Sequence, residues 1–432
     1  MLVSFISLCV ATGLRILSGF LLFVLAARFW GAERFGEFMY IFSVATLVTM
    51  LCEYGFSLQI LRDVGKSPET AAKRISEFLG AKVWLTGACL TLVLLFGLYK
   101  QFSPKVLAVL FLLTLAATAN SYSDFFLAGY RALHRCGREA VVTFWGGAVY
   151  LTFGAAALFL GGGAVELAGA MLVSRLVGLT VVVWEFSRHL SDKMSFSPSF
   201  SQAWRVIVDG SPYGADMAVS TTFSNIDTVL VASTLGYAAA GVYQAGARFY
   251  QGASLVAPIF GSLYLPRMAL VDTNLKALAK LSRQLNLGML GVGLVIALGF
   301  VMGAPFLRFV YPEASFSVVA EIFPWFGVLI FVRFIAAAQG VSITALGGQK
   351  ARAWMFSTAL VAMTLLAFLL LLSIGIIGMI IALGGAYLFL AAYFGYWISR
   401  QGVRYPAPLS VLLIVVMLSC LAWMNGISTR IY

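Results

Sequence analysis

The sequence predicts an all-α membrane protein, a polytopic helix bundle of two six-helix lobes related by an internal repeat plus about one extra C-terminal helix. Three observations predict it. Hydrophobic residues fill 61% of the 432 positions and charged residues only 11%. A soluble domain carries roughly 25% charged residues, so this chain cannot cover itself with a polar surface and must be solvated by lipid. Apolar runs long enough to cross a bilayer core of about 30 Å recur along the whole length. The basic residues, finally, gather on one side of those runs.

Taken in order, the runs place spans at 4–27, 37–60, 79–99, 105–128, 140–160, 166–186, 207–234, 240–266, 285–305, 317–345, 355–374, 378–398 and 409–426. The first starts at once and has no small-residue cleavage site, so it reads as a helix and not as a removable leader. No stretch between spans is long enough for a separate soluble domain. With a cytoplasmic N-terminus, the cytoplasmic loops hold Arg62, Lys66, Lys73 and Arg74, then Arg131, Arg135 and Arg138, then Arg188, Lys193 and Arg205. Farther on they hold Arg267, Lys276, Lys280 and Arg283, then Lys350 and Arg352, then Arg400 and Arg404. These are 18 of the 29 basic residues, against six outside: Arg28, Arg34, Lys100, Lys105, Arg308 and Arg430. The net charge of +12 is thus a device for orientation, and no nucleic-acid partner follows from it.

The outer connections at 161–165, 236–239 and 373–377 are very short, as in transporter bundles. Gly31 to Gly36 lies between the first two spans and Gly236 to Gly241 between the seventh and eighth, an offset of 205 residues. The same offset carries Arg62 onto Arg267. Two halves in the same orientation make a parallel repeat about the membrane normal. The expected division is a lobe at 1–200, a lobe at 201–400 and an extra membrane helix at 401–432, with a central seam where such transporters place substrate.

Several chemistries are excluded. Cys9, Cys52, Cys89, Cys136 and Cys420 show no C-x-x-C spacing, and His134 and His189 stand alone, so no metal or other cofactor is implied. There is no P-loop, H-E-x-x-H or G-x-S-x-G segment, so no enzyme activity is expected.

An ionisable side chain at bilayer depth costs roughly 2.5–3.5 kcal/mol on insertion scales and asks for a reason. Lys82, Asp124, Arg175 and Glu185 are expected to snorkel or to pair between helices. Other charges come with polar companions. Arg15 shares its side of the first helix with Ser4, Ser7 and Ser18. Glu53 lies in line with Thr46, Thr49 and Ser57, and Asp216 and Asp227 with Ser220 and Ser224. Gln244, Arg248 and Gln251 line one face of the eighth helix. Arg333, on the tenth, has no polar companion on its own face. Such stripes suit a hydrated cavity better than lone ion pairs do. Guanidinium forks beside carboxylates and amides suit an anionic head group with hydroxyls, such as a sugar phosphate.

The stretch AARFWGAERFGEFMYIFSVATLVTMLCEYGFSLQILRDVG (26–65) resembles the N-terminal signature of the polysaccharide-exporter branch of the multidrug/oligosaccharidyl-lipid/polysaccharide superfamily. The residues that carry the likeness are Arg15, Gly31, Gly36, Phe38, Glu53, Gly55 and Arg62. Asp227 to Leu230, Gly236, Gly241, Tyr243 and Arg248 look like the matching second-half signature, and 129–139 looks like the loop after the fourth helix. The resemblance implies a Wzx-type flippase of the bacterial inner membrane, moving an undecaprenyl-pyrophosphate-linked oligosaccharide. It further implies membrane lipids, a polysaccharide polymerase and glycosyltransferases as partners. Arg15 and Arg248 would face the pyrophosphate; Glu53 and Asp227 would balance charge or couple to an ion. Asp216, Gln244, Gln251 and Arg333 complete the expected substrate-binding set. A cation-coupled multidrug exporter of the same superfamily is the alternative. A membrane glycosyltransferase would need a long outer loop, and the outer loops here are short.

Overall fold

The computed structural model describes residues 2–66, 71–132, 136–190, 199–271 and 274–403, and every regular element among them is helical. α1 (Leu2–Glu53) holds the first two spans and departs from helical geometry only at Gly31 (φ 75°, ψ 175°). The connection expected at 28–36 is therefore a single residue. Between α8 (Ser211–Leu235) and α9 (Tyr237–Ser254) the same role falls to Gly236, at φ 89° and ψ 174°. This positive-φ, extended-ψ backbone excludes a side chain at little cost only in glycine. The 205-residue repeat is thus a repeat of backbone conformation.

The second glycine of each motif has a packing reason. A Cβ on Gly36 would stand 1.8 Å from the carbonyl oxygen of Tyr237, and one on Gly241 would stand 1.9 Å from that of Ala32. Moving Gly36 forward by 205 residues and Tyr237 back by 205 turns the first contact into the second. The two turns therefore meet reciprocally, backbone on backbone, as small-residue contacts allow in membranes.

The described chain divides into two compact units, Met1–Phe29 with Glu37–Val229, and Trp30–Gly36 with Leu230–Tyr432. The first contains α2 (Phe56–Lys66), α3 (Ala71–Tyr99), α4 (Pro104–Ala132), α5 (Cys136–Phe159), α6 (Ala164–Leu190) and α7 (Phe200–Asp209) besides its parts of α1 and α8. α4 is the hub, packed on α2, α3, α5 and α6. An aromatic cluster of Phe56, Phe78, Phe125, Phe126 and Phe186 ties α2, α3, α4 and α6 together, and Ala203 of α7 joins it.

The second unit contains α9, α10 (Val256–Ala269), α11 (Leu275–Gly303), α12 (Leu307–Val310), α13 (Val319–Ala345), α14 (Gln349–Ile374) and α15 (Ile376–Arg400). Here α13 is the hub, touching α9, α10, α11, α12, α14 and α15. Glycines bring helices close: a Cβ on Gly246 would lie 2.6 Å from the Phe326 ring, and one on Gly327 would lie 2.9 Å from the Ala297 carbonyl oxygen.

Eight helices among the described residues are long and apolar enough to cross a membrane, where thirteen spans were expected. The segment Leu17–Leu61 contains the second expected span and the end of the first, and α5 counts as a shorter apolar helix. α8 and α9 fall outside the eight; α8 carries Asp216, Asn225, Asp227 and a run of Ser and Thr, while α9 is only 18 residues long. The last expected span, 409–426, lies outside the described residues, as does nearly all of the expected segment 401–432.

Three helices expected to be continuous are broken, at Tyr54–Gly55, at Gly210 and at Leu255. Pro212 and Pro258 fall in the first turn of the helices that restart after the second and third breaks, where a missing amide is tolerated, and no proline lies at the first. α11 also begins ten residues earlier than expected, because the Asn274 side chain caps it by accepting from the Ala277 amide at 3.2 Å.

Candidate functional site

In the first unit the break after α1 places Glu53. Tyr54 (φ 44°) and Gly55 (φ 69°) are left-handed, which ends α1 and restarts the chain as α2. A non-glycine residue in this region costs about 1 kcal/mol or more and persists only where the surroundings hold it. Those surroundings are the start of α8. The Tyr54 ring lies where a Cβ on Gly214 would be, and Tyr213 lies against Gly55. A helix end leaves carbonyls without amide partners. The Cys52 carbonyl accepts from the Lys82 ammonium at 2.8 Å, and Lys82 also donates to Ser121 Oγ at 2.6 Å. Lys82 is only 1% exposed and sits 5.0 Å over the Tyr122 ring. A cation at a helix C-terminus is favoured by the helix dipole, so the lysine fixes the end of α1 while Glu53 faces open space.

That space is a cavity of about 220 Å³ midway along α4 and α6, lined by Glu53, Asn120, Asp124 and Arg175 among others. Asn120 Nδ2 donates to Asp124 Oδ2 at 2.8 Å, and the Arg175 guanidinium lies 4.3 Å over the Tyr150 ring. Thr46 and Thr49, also in the wall, donate their hydroxyls to the carbonyls of Phe42 and Ala45. Their oxygen lone pairs are therefore what they offer to the cavity. Two carboxylates against one guanidinium make the lining acidic on balance, with Lys82 behind Ser121.

In the second unit, Arg248 Nη1 donates to Gln251 Oε1 at 3.1 Å, and Gln244 on the same face is 2% exposed. Arg333 of α13 donates to the Tyr250 hydroxyl at 2.9 Å and lies near the Tyr250 and Tyr387 rings. It thus has polar companions after all, supplied by neighbouring helices. Tyr250 is two residues, or about 200°, round α9 from Arg248. The structure therefore does not bring Arg333 onto the Arg248 face.

The remaining expected residues are dispersed. Asp227 is buried, its Oδ1 accepting from the Thr228 amide at 2.7 Å, whereas Asp216 on the same helix is exposed. Arg15 lies on α1, its side chain outside those described. Lys82, Asp124 and Arg175 were expected to snorkel or pair between helices. Lys82 of α3 is buried and joins α1 and α4 through Cys52 and Ser121, while Asp124 and Arg175 line the cavity beside Glu53. The signal for Asp124 was present in Asn120-x-x-x-Asp124 on one face of α4. Nothing local links that face to Arg175.

Known structures share this fold. A lipid II flippase, MurJ, in an inward closed conformation superimposes with a TM-score of 0.77 at 15% identity, covering 97% of this chain and 92% of that one. A mutant of the Vibrio cholerae MATE transporter VcmN gives 0.65 at 16% identity, covering 92% of this chain and 96% of the other. An outward-facing multidrug resistance MATE family transporter of the MOP superfamily gives 0.65 at 14%, covering 92% and 93%. No curated protein matches in sequence. The model of one family, described as polysaccharide biosynthesis protein, matches residues 1–271, which include both glycine turns, Glu53, Asp124, Asp227 and Arg248. The chain is a membrane helix bundle that belongs to this polysaccharide biosynthesis protein family, as the resemblance of its first hairpin implied.

Proposed function

We propose that the protein is a flippase moving a polyprenyl-pyrophosphate-linked oligosaccharide across a bacterial inner membrane, for the synthesis of a surface polysaccharide such as O-antigen of lipopolysaccharide. The observation that carries this reading is the family match over residues 1–271. The fold shared with a lipid II flippase supports it. So do guanidinium groups at mid-span, because a planar fork pairs with phosphate through two parallel hydrogen bonds. In this reading Arg15 and Arg248 hold the pyrophosphate, Gln244, Gln251 and Asp216 meet sugar hydroxyls, and Glu53 and Asp227 balance charge. Arg333 braces the second unit. The lobes expected at 1–200 and 201–400 give alternating access, and a polymerase and glycosyltransferases act on the same lipid.

The acidic balance of the first unit's cavity favours one other reading, a cation-coupled multidrug exporter. Proteoliposomes separate the two. The lipid-linked oligosaccharide should change leaflet and a lipophilic cationic dye should not. Arg15→Ala or Arg248→Ala should slow flipping at least tenfold without changing thermal stability. Normal flipping by both variants defeats the arginine assignment, and movement of the dye alone installs the exporter reading.

A further inference from the structure

We propose that the cavity of the first unit is a sugar-ring site, which binds one neutral, hydroxyl-rich residue of the transported glycan. The proposal rests on the flippase reading for the source of its ligand, and adds a subsite to the arginines that hold the pyrophosphate there.

The hydrogen-bonding capacity of the wall selects the chemistry. Glu53 and Arg175 both border the cavity, and neither side chain hydrogen-bonds to another of the described residues. The carboxylate offers only acceptors and the guanidinium only donors. Thr46 and Thr49 have given their hydrogens to backbone carbonyls and offer lone pairs. Ser121 does the opposite: its oxygen accepts from Lys82, which leaves its own hydrogen to donate. A ligand that satisfies this wall must donate and accept at several points a few ångströms apart. A hydroxyl does both at one atom, and a sugar ring holds several hydroxyls in fixed directions. Phe42, Leu113, Ala116, Ala117 and Met171 complete the wall with apolar surface, which the C–H face of such a ring covers.

Size and charge narrow the ligand further. The cavity, at about 220 Å³, is smaller than the roughly 300–1,000 Å³ of pockets that enclose drug-sized molecules. It suits a single ring and not a chain of them. Two carboxylates, Glu53 and Asp124, and two cations, Arg175 and the Lys82 behind Ser121, surround it. Their charges cancel, so a neutral ligand leaves none of them over. A uronate or a lipophilic cation would bring one uncompensated charge into a largely enclosed site, which is costly. The wall therefore discriminates against acidic sugars and against cationic drugs alike.

The test is saturation-transfer difference NMR of the full-length protein in nanodiscs free of sugar detergents. The probes are the methyl glycosides of glucose, galactose, mannose and N-acetylglucosamine, with methyl glucuronide as the acidic counterpart. At least one neutral glycoside should bind in the millimolar range, roughly tenfold more tightly than the glucuronide, and tetraphenylphosphonium should not displace it. Ala117→Leu fills the cavity from α4 and should abolish the signal; if that variant does not fold, Ala117→Val replaces it. Asp124→Asn removes one negative charge and should narrow the gap between neutral and acidic glycosides. No signal from any neutral glycoside, a signal that survives the plug, a glucuronide bound as tightly, or displacement by tetraphenylphosphonium overturns the proposal. In proteoliposomes, flipping of the lipid-linked oligosaccharide that ignores the plug overturns it and leaves the flippase reading intact. Plug-sensitive glycoside binding without any flipping does the reverse.

Discussion

The hub helices of the two units invite comparison. In the first unit α4 is packed on four helices and still borders a cavity of about 220 Å³ along its middle. In the second, α13 is packed on six, and 67% of its apolar window is buried against 44% for α4. The side chains account for the difference. α4 faces its neighbours with Ala116, Ala117, Asn120 and Ser121, too small to fill the space. α13 presents Phe323, Phe326, Phe331 and Phe334, all buried, and its one cation is held by a tyrosine hydroxyl. Glu53, Asp124 and Arg175 of the first unit border a cavity, while Arg333 of the second is built into packing. The hub of the first unit thus borders a polar hollow, and the hub of the second is filled by aromatic rings.

The largest expected contrast comes from cavity-making substitutions. Phe331→Ala removes a wholly buried ring from the solid unit and should cost about 3–5 kcal/mol. Leu113→Ala removes a side chain that already borders a void, so its cost should fall near the lower end of the Leu→Ala range, about 2 kcal/mol. Thermal unfolding in detergent compares them. Equal losses would mean that the first unit is as tightly filled as the second.

Next in size is the pair of arginines. Arg333→Met leaves the Tyr250 hydroxyl without its donor and should cost about 1–3 kcal/mol. Arg175→Met, at a cavity wall, should change stability by less than about 1 kcal/mol while altering transport. A stable Arg333→Met protein that fails to transport would move Arg333 from frame to site. Of similar size is Gly246→Ala, which drives a methyl to 2.6 Å from the Phe326 ring and should cost about 1–3 kcal/mol by overpacking.

How much of this the sequence contained varies with the range of the interaction. Hydropathy located the eight helices that are apolar enough to cross a membrane among the described residues, because lipid acts on each helix separately. Gly31 and Gly236 were legible because a positive-φ turn at a fixed offset is a local requirement, and the Arg248–Gln251 contact followed from spacing along one helix. The breaks at Tyr54 and Gly210 were not legible. They depend on the Tyr54 ring meeting Gly214 and on Gln59 meeting Gly210, contacts more than 150 residues apart in the chain. The same holds for Asp124 and Arg175, which share a cavity only once α4 packs on α6. Whether Lys82 snorkels or pairs between helices stayed open because its acceptor, a carbonyl freed by a helix break, is invisible until the break is known.

The smallest effect is the sharpest test of the contrast, because it changes sign. An alanine at an unstrained helical glycine is favoured by roughly 0.5–1 kcal/mol, since it reduces the freedom of the unfolded chain. At Gly246 the packed second unit should overwhelm that gain. At Gly146 and Gly178, where the new methyl enters open space, the gain should survive. Gly146→Ala and Gly178→Ala should therefore each raise the melting temperature slightly. A drop for either would mean that α4, α5 and α6 close on one another, and the first unit would then be no more hollow than the second.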